Sequence, residues 1–333
     1  MLILGIESSC DDTAASIIKD EKAVLSNIIS SQVEFHTKYG GVVPEIASRK
    51  HQECIIPVIK ESLLKAKVTL DDIDGIAVTQ GPGLVGSLLV GINVAKSIAS
   101  SRKLPIIGVN HLEGHMLAPH LENDIPFPNI TLVVSGGHTN IYRVRDFGKY
   151  HLLGSTRDDA AGEAFDKVAK LLDLGYPGGV VIDRLSKKGD PSSISFPRPM
   201  LKDRSYDFSF SGLKTAVRYY IDKIPENELT DDKINNICSS FQTAVVDILT
   251  SKTIRAAIEH NANTITLSGG VAANSLLRSQ MVKKAAEHKI NVFTPSLLLC
   301  TDNAAMIAFA GSKKINTACS FPYSLNAISR WPL

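Results

Sequence analysis

The chain has 333 residues, 44% of them hydrophobic and 21% charged. This excludes a disordered, collagen-like or coiled-coil protein and leaves room for roughly two domains. Lys+Arg (36) and Asp+Glu (34) nearly cancel, for a net charge of +2, so bulk charge selects no partner and any nucleic-acid footprint must be local.

The opening segment, MLILGIESSCDDTAAS, has no basic leader, and its apolar run is too short for a signal peptide. No window is apolar enough to span a membrane, so no membrane association is expected and the expected location is the cytoplasm. The cysteines, Cys10, Cys54, Cys238, Cys300 and Cys319, are scattered and form no CxxC pair. They predict a reducing compartment rather than a disulfide framework.

Two kinds of unit recur along the chain. Leu2–Ile6 reads as a strand, Glu7–Thr13 as a polar turn and Ala14–Ile18 as a second strand. The same arrangement returns at Ile130–Val134, Ser135–Thr139 and Asn140–Val144. The second unit is strand, glycine-rich turn, helix, strand. It occurs at Gly75–Val78, Thr79–Gly86, Ser87–Ser100 and Ile106–Val109, and again at Thr264–Leu267, Ser268–Asn274, Ser275–His288 and Asn291–Thr294. A chain built twice from a hairpin and a βαβ unit predicts a duplicated α/β fold of two domains around a central cleft. The expected division is 1–110, completed by 303–333, against 111–302. An irregular insertion is expected near 185–235, including the proline-rich GDPSSISFPRPMLKDR.

Asn110-His111-Leu112-Glu113-Gly114-His115 is the sharpest local signal. On a helix, His111 and His115 share a face and can share a metal. The segment is not the zincin HExxH motif, because Glu113 falls about 200° around the helix from His111. Asp302, in CTDNAAM, is the candidate third ligand; the alternative is a plain helix N-cap. Asp11 lies in the first hairpin turn. It can orient a nucleophile, bind metal or repel phosphate, or simply form the turn. Three turns, QGPGLVG (80–86), SGGH (135–138) and SGGVAAN (268–274), follow apolar strands. Such turns let a ligand approach the backbone and favour anions. Asp166 or Asp183 is a candidate acceptor for ribose hydroxyls. Glu163 and Lys167 read as an ordinary i,i+4 pair.

GIESSCDDTA, HLEGH, VSGGHT, GEAFDKVAKLL with LGYPGG, FSFSGLKTAV, LSGGVAANS, CTDNAAMIA and the ending RWPL occur in this order. Together they resemble the tRNA adenosine threonylcarbamoyltransferases, the bacterial TsaD family once described as O-sialoglycoprotein endopeptidases. The resemblance implies a fold of the actin, Hsp70 and sugar-kinase type. It also implies transfer of threonylcarbamoyl from threonylcarbamoyl-AMP to N6 of adenosine 37 in tRNAs reading codons that begin with A, with release of AMP.

By the same resemblance, His111, His115 and Asp302 match the family's metal ligands and Asp11 its catalytic aspartate. Val133, Val134, Ser135, Gly136 and Gly137 match its substrate-binding strand and turn. Asp166, Gly179, Asp183 and Asn274 match its adenylate-binding positions. Val180 stands where the family usually has proline. The implied cofactor is one divalent ion per subunit, Fe²⁺ with Zn²⁺ as the alternative. The implied partners are tRNA, a TsaB paralogue as heterodimer and a TsaE ATPase, with the adenylate supplied by a TsaC-type enzyme. The rival readings are a glycoprotein metallopeptidase, a sugar-kinase-like ATPase and a non-catalytic scaffold paralogue. The first rests on HxxxH alone, the second does not require the histidine pair, and the third lacks the ligands kept here.

Overall fold

The computed structural model describes residues 1–317 and 324–333, so Cys319 lies outside the described residues. The other four cysteines are free thiols. The chain divides into two compact units, Met1–Asp124 with Pro295–Leu333, and Ile125–Thr294.

Unit 1 opens with an antiparallel meander of β1 (Leu2–Glu7), β2 (Asp12–Lys19) and β3 (Ala23–Ser31). Helices α1 (Val33–Thr37) and α2 (Pro44–Ala66) follow. A parallel βαβ unit comes next: β4 (Gly75–Gly81), α3 (Val85–Arg102) and β5 (Ile106–Asn110), running directly into α4 (His111–Leu117).

Unit 2 repeats the plan. Its meander is β6 (Asn129–Val134), β7 (Thr139–Asp146) and β8 (Lys149–Ser155). Helices α5 (Ala161–Leu171), α6 (Gly178–Ser186), α7 (Ser211–Ile221) and α8 (Asp231–Glu259) follow. Its βαβ unit is β9 (Thr264–Ser268), α9 (Ser275–Ala286) and β10 (Asn291–Phe293). The chain then returns to unit 1 as α10 (Leu297–Cys300) and α11 (Ala304–Ser312).

The sheets have the orders β3-β2-β1-β4-β5 and β10-β9-β6-β7-β8, with β4 parallel to β1 and β9 parallel to β6. Each unit therefore carries the same five-stranded topology, as the repeated hairpin and βαβ patterns predict. The outer strands β3 and β8 are the part of the repeat that the sequence hides. Their burial is broken and partial, so no clean alternation marks them. Central strands such as β6 are buried along their whole length and read as continuous apolar runs.

The unit boundaries fall at 124/125 and 294/295 rather than at 110/111 and 302/303. The reason is packing. A Cβ on Gly114 of α4 would lie 2.9 Å from Ile307 of α11, and Ser296 N–H donates to Glu122 at 2.7 Å. Helix α4 and residues 295–302 thus belong to unit 1.

Every residue of α11 is buried, which fits its almost uniformly apolar sequence, AAMIAFAGS. It lies directly on β1: a Cβ on Gly5 would sit 2.3 Å from the Ala304 carbonyl oxygen. Leu4, Ile6, Ile17, Ile76, Val78, Leu88 and Ile92 pack the core between this sheet and its helices. The irregular insertion is narrower than the expected 185–235, because Ser211–Ile221 and the chain from Asp231 are helical: it covers residues 189–210, tied to unit 2 by a short parallel bridge between Thr156 and Phe208. Among the described residues no helix is long and apolar enough to cross a membrane.

Candidate functional site

Helix α4 starts where β5 ends. Asn110 caps it, its Oδ1 accepting from Leu112 N–H at 2.9 Å and Glu113 N–H at 3.4 Å. The predicted spacing then places both imidazoles together, with ring centroids 4.6 Å apart. Asp302 joins them from the turn before α11. Its Oδ1 is 3.0 Å from His115 Nε2 and 3.5 Å from His111 Nε2. The capping role falls instead to the neighbouring Asn303, whose side chain accepts from Met306 N–H at 3.0 Å, so Asp302 is left for the histidines. Glu113 points away from them, buried and paired with Lys314 at 2.5 Å.

This donor set fits a divalent metal. One ligand atom from each of His111, His115 and Asp302 falls within 4.8 Å of the others. Bonds of about 2.0–2.2 Å would bring such atoms about 3.0–3.4 Å apart. His115 is fully buried, and its Nδ1 has no hydrogen-bond partner among the described residues, so its polar engagement there is on the Asp302 side.

Behind His111 stands Glu7, fully buried at the end of β1. Its carboxylate accepts from His111 Nδ1 at 2.9 Å, from Thr79 Oγ1 at 2.7 Å and from Ser9 N–H at 2.5 Å. A carboxylate can only accept, so the Nδ1 proton is fixed and Nε2 is aimed at Asp302. Burial alone would lower His111, but Asp302 and Glu7 outweigh it and lift the imidazole to about 9. In the sequence Glu7 falls in the polar turn Glu7–Thr13, which hides this role. The available signal was a carboxylate closing an otherwise apolar strand, LILGIE, where burial is costly unless the charge is paired.

The turn between β1 and β2 carries Asp11. Burial and the nearby Asp302 push its carboxyl up from the ordinary aspartate value. The same two causes raise Asp12 to about 7, and its Oδ1 is buried without a partner among the described residues. Glu7, the Asp11 turn and His111 all sit at the carboxyl ends of β1 and β5, where open α/β sheets bind ligands.

In unit 2 the corresponding edge holds the glycine turns. Val133 and Val134 are buried in β6, and Ser135–His138 form the hairpin turn, with Ser135 N–H donating to the His138 carbonyl at 2.8 Å. Gly269 follows β9 at φ +88°, where a Cβ would meet the Val134 carbonyl oxygen at 2.4 Å. The two turns therefore pack together. Around Gly136, Gly137, Gly179 and Gly270, by contrast, a Cβ would meet nothing within 4 Å, so a ligand can reach the backbone there.

The polar residues expected near the adenylate hold this edge in place. Asp166 accepts from Gly178 N–H at 2.8 Å, at the start of α6. Asp183 accepts from the Ser275 hydroxyl at 2.8 Å and its N–H at 3.2 Å, and Lys187 lies 3.3 Å from its other oxygen. Asn274 caps α9 through Leu277 N–H and donates to Gln242 at 2.7 Å. A cavity of about 550 Å³ opens beside them, lined by Ser186, Gln242, Thr243, Ser275, Leu276 and Ser279 among others. Glu163 and Lys167 pair at 2.7 Å as expected, and Lys167 also reaches Asp159.

Among solved structures, the fold resembles full-length HypF in its phosphate- and nucleotide-bound form (TM-score 0.64, 15% identity, 95% of this chain and 46% of that one). It also resembles the activator of the 2-hydroxyisocaproyl-CoA dehydratase from Clostridium difficile with bound ADPNP (TM-score 0.56, 15% identity, 95% and 96%). These likenesses bear out the expected fold. Two proteins named tRNA N6-adenosine threonylcarbamoyltransferase match along the full chain. That of Syntrophus aciditrophicus is 56% identical over 334 residues, and that of Geobacter metallireducens 56% over 333, covering 98% and 97% of their lengths. The family model described as TsaD, tRNA N6-adenosine threonylcarbamoyltransferase, matches residues 23–309. With its motifs, its duplicated fold and these full-length relatives in agreement, the chain belongs to the tRNA N6-adenosine threonylcarbamoyltransferase family.

Proposed function

We propose that the chain transfers the threonylcarbamoyl group of threonylcarbamoyl-AMP to N6 of adenosine 37, in tRNAs reading codons that begin with A. The observation that carries this reading beyond family membership is the triad of His111, His115 and Asp302, braced by Glu7 and set beside the turn that carries Asp11. The N6 amine attacks the carbonyl carbon of the mixed anhydride. A C–N bond forms, the bond to the phosphate oxygen breaks, AMP leaves, and the amine gives up one proton. The exocyclic amine is a poor nucleophile, so the protein's task is placement and charge management. Asp11 is the proton acceptor, and its raised pKa makes it a better base than an exposed aspartate.

His111, His115 and Asp302 would hold a divalent ion, which would supply Lewis-acid stabilisation of developing negative charge. Two imidazoles and a carboxylate leave coordination positions open and suit Fe²⁺ or Zn²⁺. In unit 2, the backbone at Gly136, Gly137, Gly179 and Gly270 receives the adenylate, with Val133, Val134 and Ser135 forming the floor. Asp166, Asp183 and Asn274 shape this edge. The cavity beside Ser275, about 550 Å³, has room for the adenosine. We further assign a TsaB paralogue and a TsaE ATPase as partners, a TsaC-type enzyme as the source of the adenylate, and the cytoplasm, where tRNA is modified, as the location.

Nucleoside mass spectrometry tests the reading. Unmodified tRNA is incubated with threonine, bicarbonate, ATP, a TsaC-type enzyme, TsaB and TsaE, with and without this chain. Threonylcarbamoyladenosine should appear only with the chain present. No product, where a known transferase succeeds with the same partners, refutes the proposal.

A further inference from the structure

Three successive carbonyls of the turn between β1 and β2 are held, those of Ser9, Cys10 and Asp11. Ser9 C=O accepts from Leu84 N–H at 2.8 Å, and Asp11 C=O accepts from Gln32 N–H at 3.1 Å. The carbonyl between them, that of Cys10, is held by a side chain: His51 Nε2 lies 3.0 Å away. His51 comes from α2 and is fully buried. Its other nitrogen, Nδ1, lies 2.7 Å from the Thr13 hydroxyl, one residue past Asp12 on β2. A carbonyl only accepts, so Nε2 carries the ring proton. In the neutral ring Nδ1 then accepts from the Thr13 hydroxyl. Burial lowers the His51 pKa, in keeping with a neutral ring. One imidazole therefore bridges both sides of Asp11 in the chain, while the Asp11 carboxylate stays outside the clamp.

We propose that His51 is a positioning residue for Asp11: by clamping Cys10 C=O and the Thr13 hydroxyl, it sets where the Asp11 carboxylate stands during transfer. This rests on the reading of Asp11 as proton acceptor. Nothing in the local sequence EIASRKHQEC marks His51 as functional, and its spacing belongs to the buried stripe of α2 with Ala47, Ile55, Val58 and Ile59. The clamp acts through geometry. Misplacing a reacting group by about 1 Å can cost about 10²-fold in rate.

The test is a double-mutant cycle with the complete enzyme, its partners and tRNA. His51→Ala should lower kcat about 10–100-fold, with KM for tRNA and metal content essentially unchanged. His51→Gln keeps an amide N–H for the Cys10 carbonyl and should recover most of the rate. His51→Asn, whose shorter amide does not reach, should not. In an Asp11→Asn background, His51→Ala should cost nothing more, because the residue through which it acts is already lost. Additive losses, or a loss confined to KM or metal content, overturn the proposal. If His51→Ala does not fold, the Gln and Asn variants carry the cycle. If wild-type enzyme makes no product, the transferase reading has failed, and crystal structures then judge the clamp alone. The Asp11 carboxylate should move by more than about 1 Å in the Asn variant, and an unmoved carboxylate overturns the proposal.

Discussion

Glu7→Gln isolates the support behind the metal ligands. The substitution keeps the shape of a fully buried side chain. It also keeps one carbonyl oxygen for Ser9 N–H or His111 Nδ1–H, and the Thr79 hydroxyl can turn to accept from the new amide. What disappears is the negative charge at 2.9 Å from His111 Nδ1. That charge raises the basicity of the imidazole and fixes the proton on Nδ1. Losing such an outer partner typically weakens metal binding about 10–100-fold, equivalent to about 1.4–2.8 kcal/mol. Competition with a chromophoric chelator at neutral pH reads the affinity directly, independent of turnover, and thermal unfolding checks the fold. An affinity within about twofold of wild type would falsify the idea that Glu7 tunes His111. So would an equal loss in Thr79→Val, which leaves the carboxylate on the imidazole.

Three further expectations follow from other sites. Asp302→Asn should abolish tight metal binding while leaving the melting temperature near that of the metal-free protein, because Asn303 rather than Asp302 caps α11; retained stoichiometric metal refutes the triad. Gly269→Ala forces a side chain into φ +88° against the Val134 carbonyl. It should destabilise unit 2 by about 1–3 kcal/mol in urea unfolding and weaken adenylate binding, and an unchanged midpoint contradicts it. His120 is held down to about 4 by burial, with Lys313 adding to it. Below its ordinary value the unfolded chain binds the extra proton and the folded chain resists it, so stability falls as pH drops through the window from 6.5 to about 4. Between pH 7 and 5 the loss is about 2 kcal/mol. His111 and Asp12, both raised, titrate with the opposite sign over the same range, so the His120 share is read as the difference between wild type and His120→Gln in urea titrations at both values, and an equal pH dependence in the two refutes it.

The repeated hairpin and βαβ pattern was legible because strand and helix periodicities are local, and each glycine turn marks the end of a strand. His111 and His115 were readable as a pair because helix geometry alone puts residues four apart on one face. The motifs also carried the family. Contacts between distant segments were not legible as contacts: Asp302 could be named from its motif, but not joined to the histidines by any local pattern. Asp302 lies 187 positions from His115, and only the packing of α11 on β1 brings it to the imidazoles and hands the capping task to Asn303. The unit boundary moved for the same reason, since α4 is buried against a helix near the other end of the chain. Glu7 and His51 look alike in sequence to a misplaced charge and an ordinary core position. Their roles exist only because the sheet brings β1 beside β4 and β5, and α2 lies against the turn of the first hairpin. A buried polar group declares its purpose through its partners, and tertiary structure alone supplies the partners.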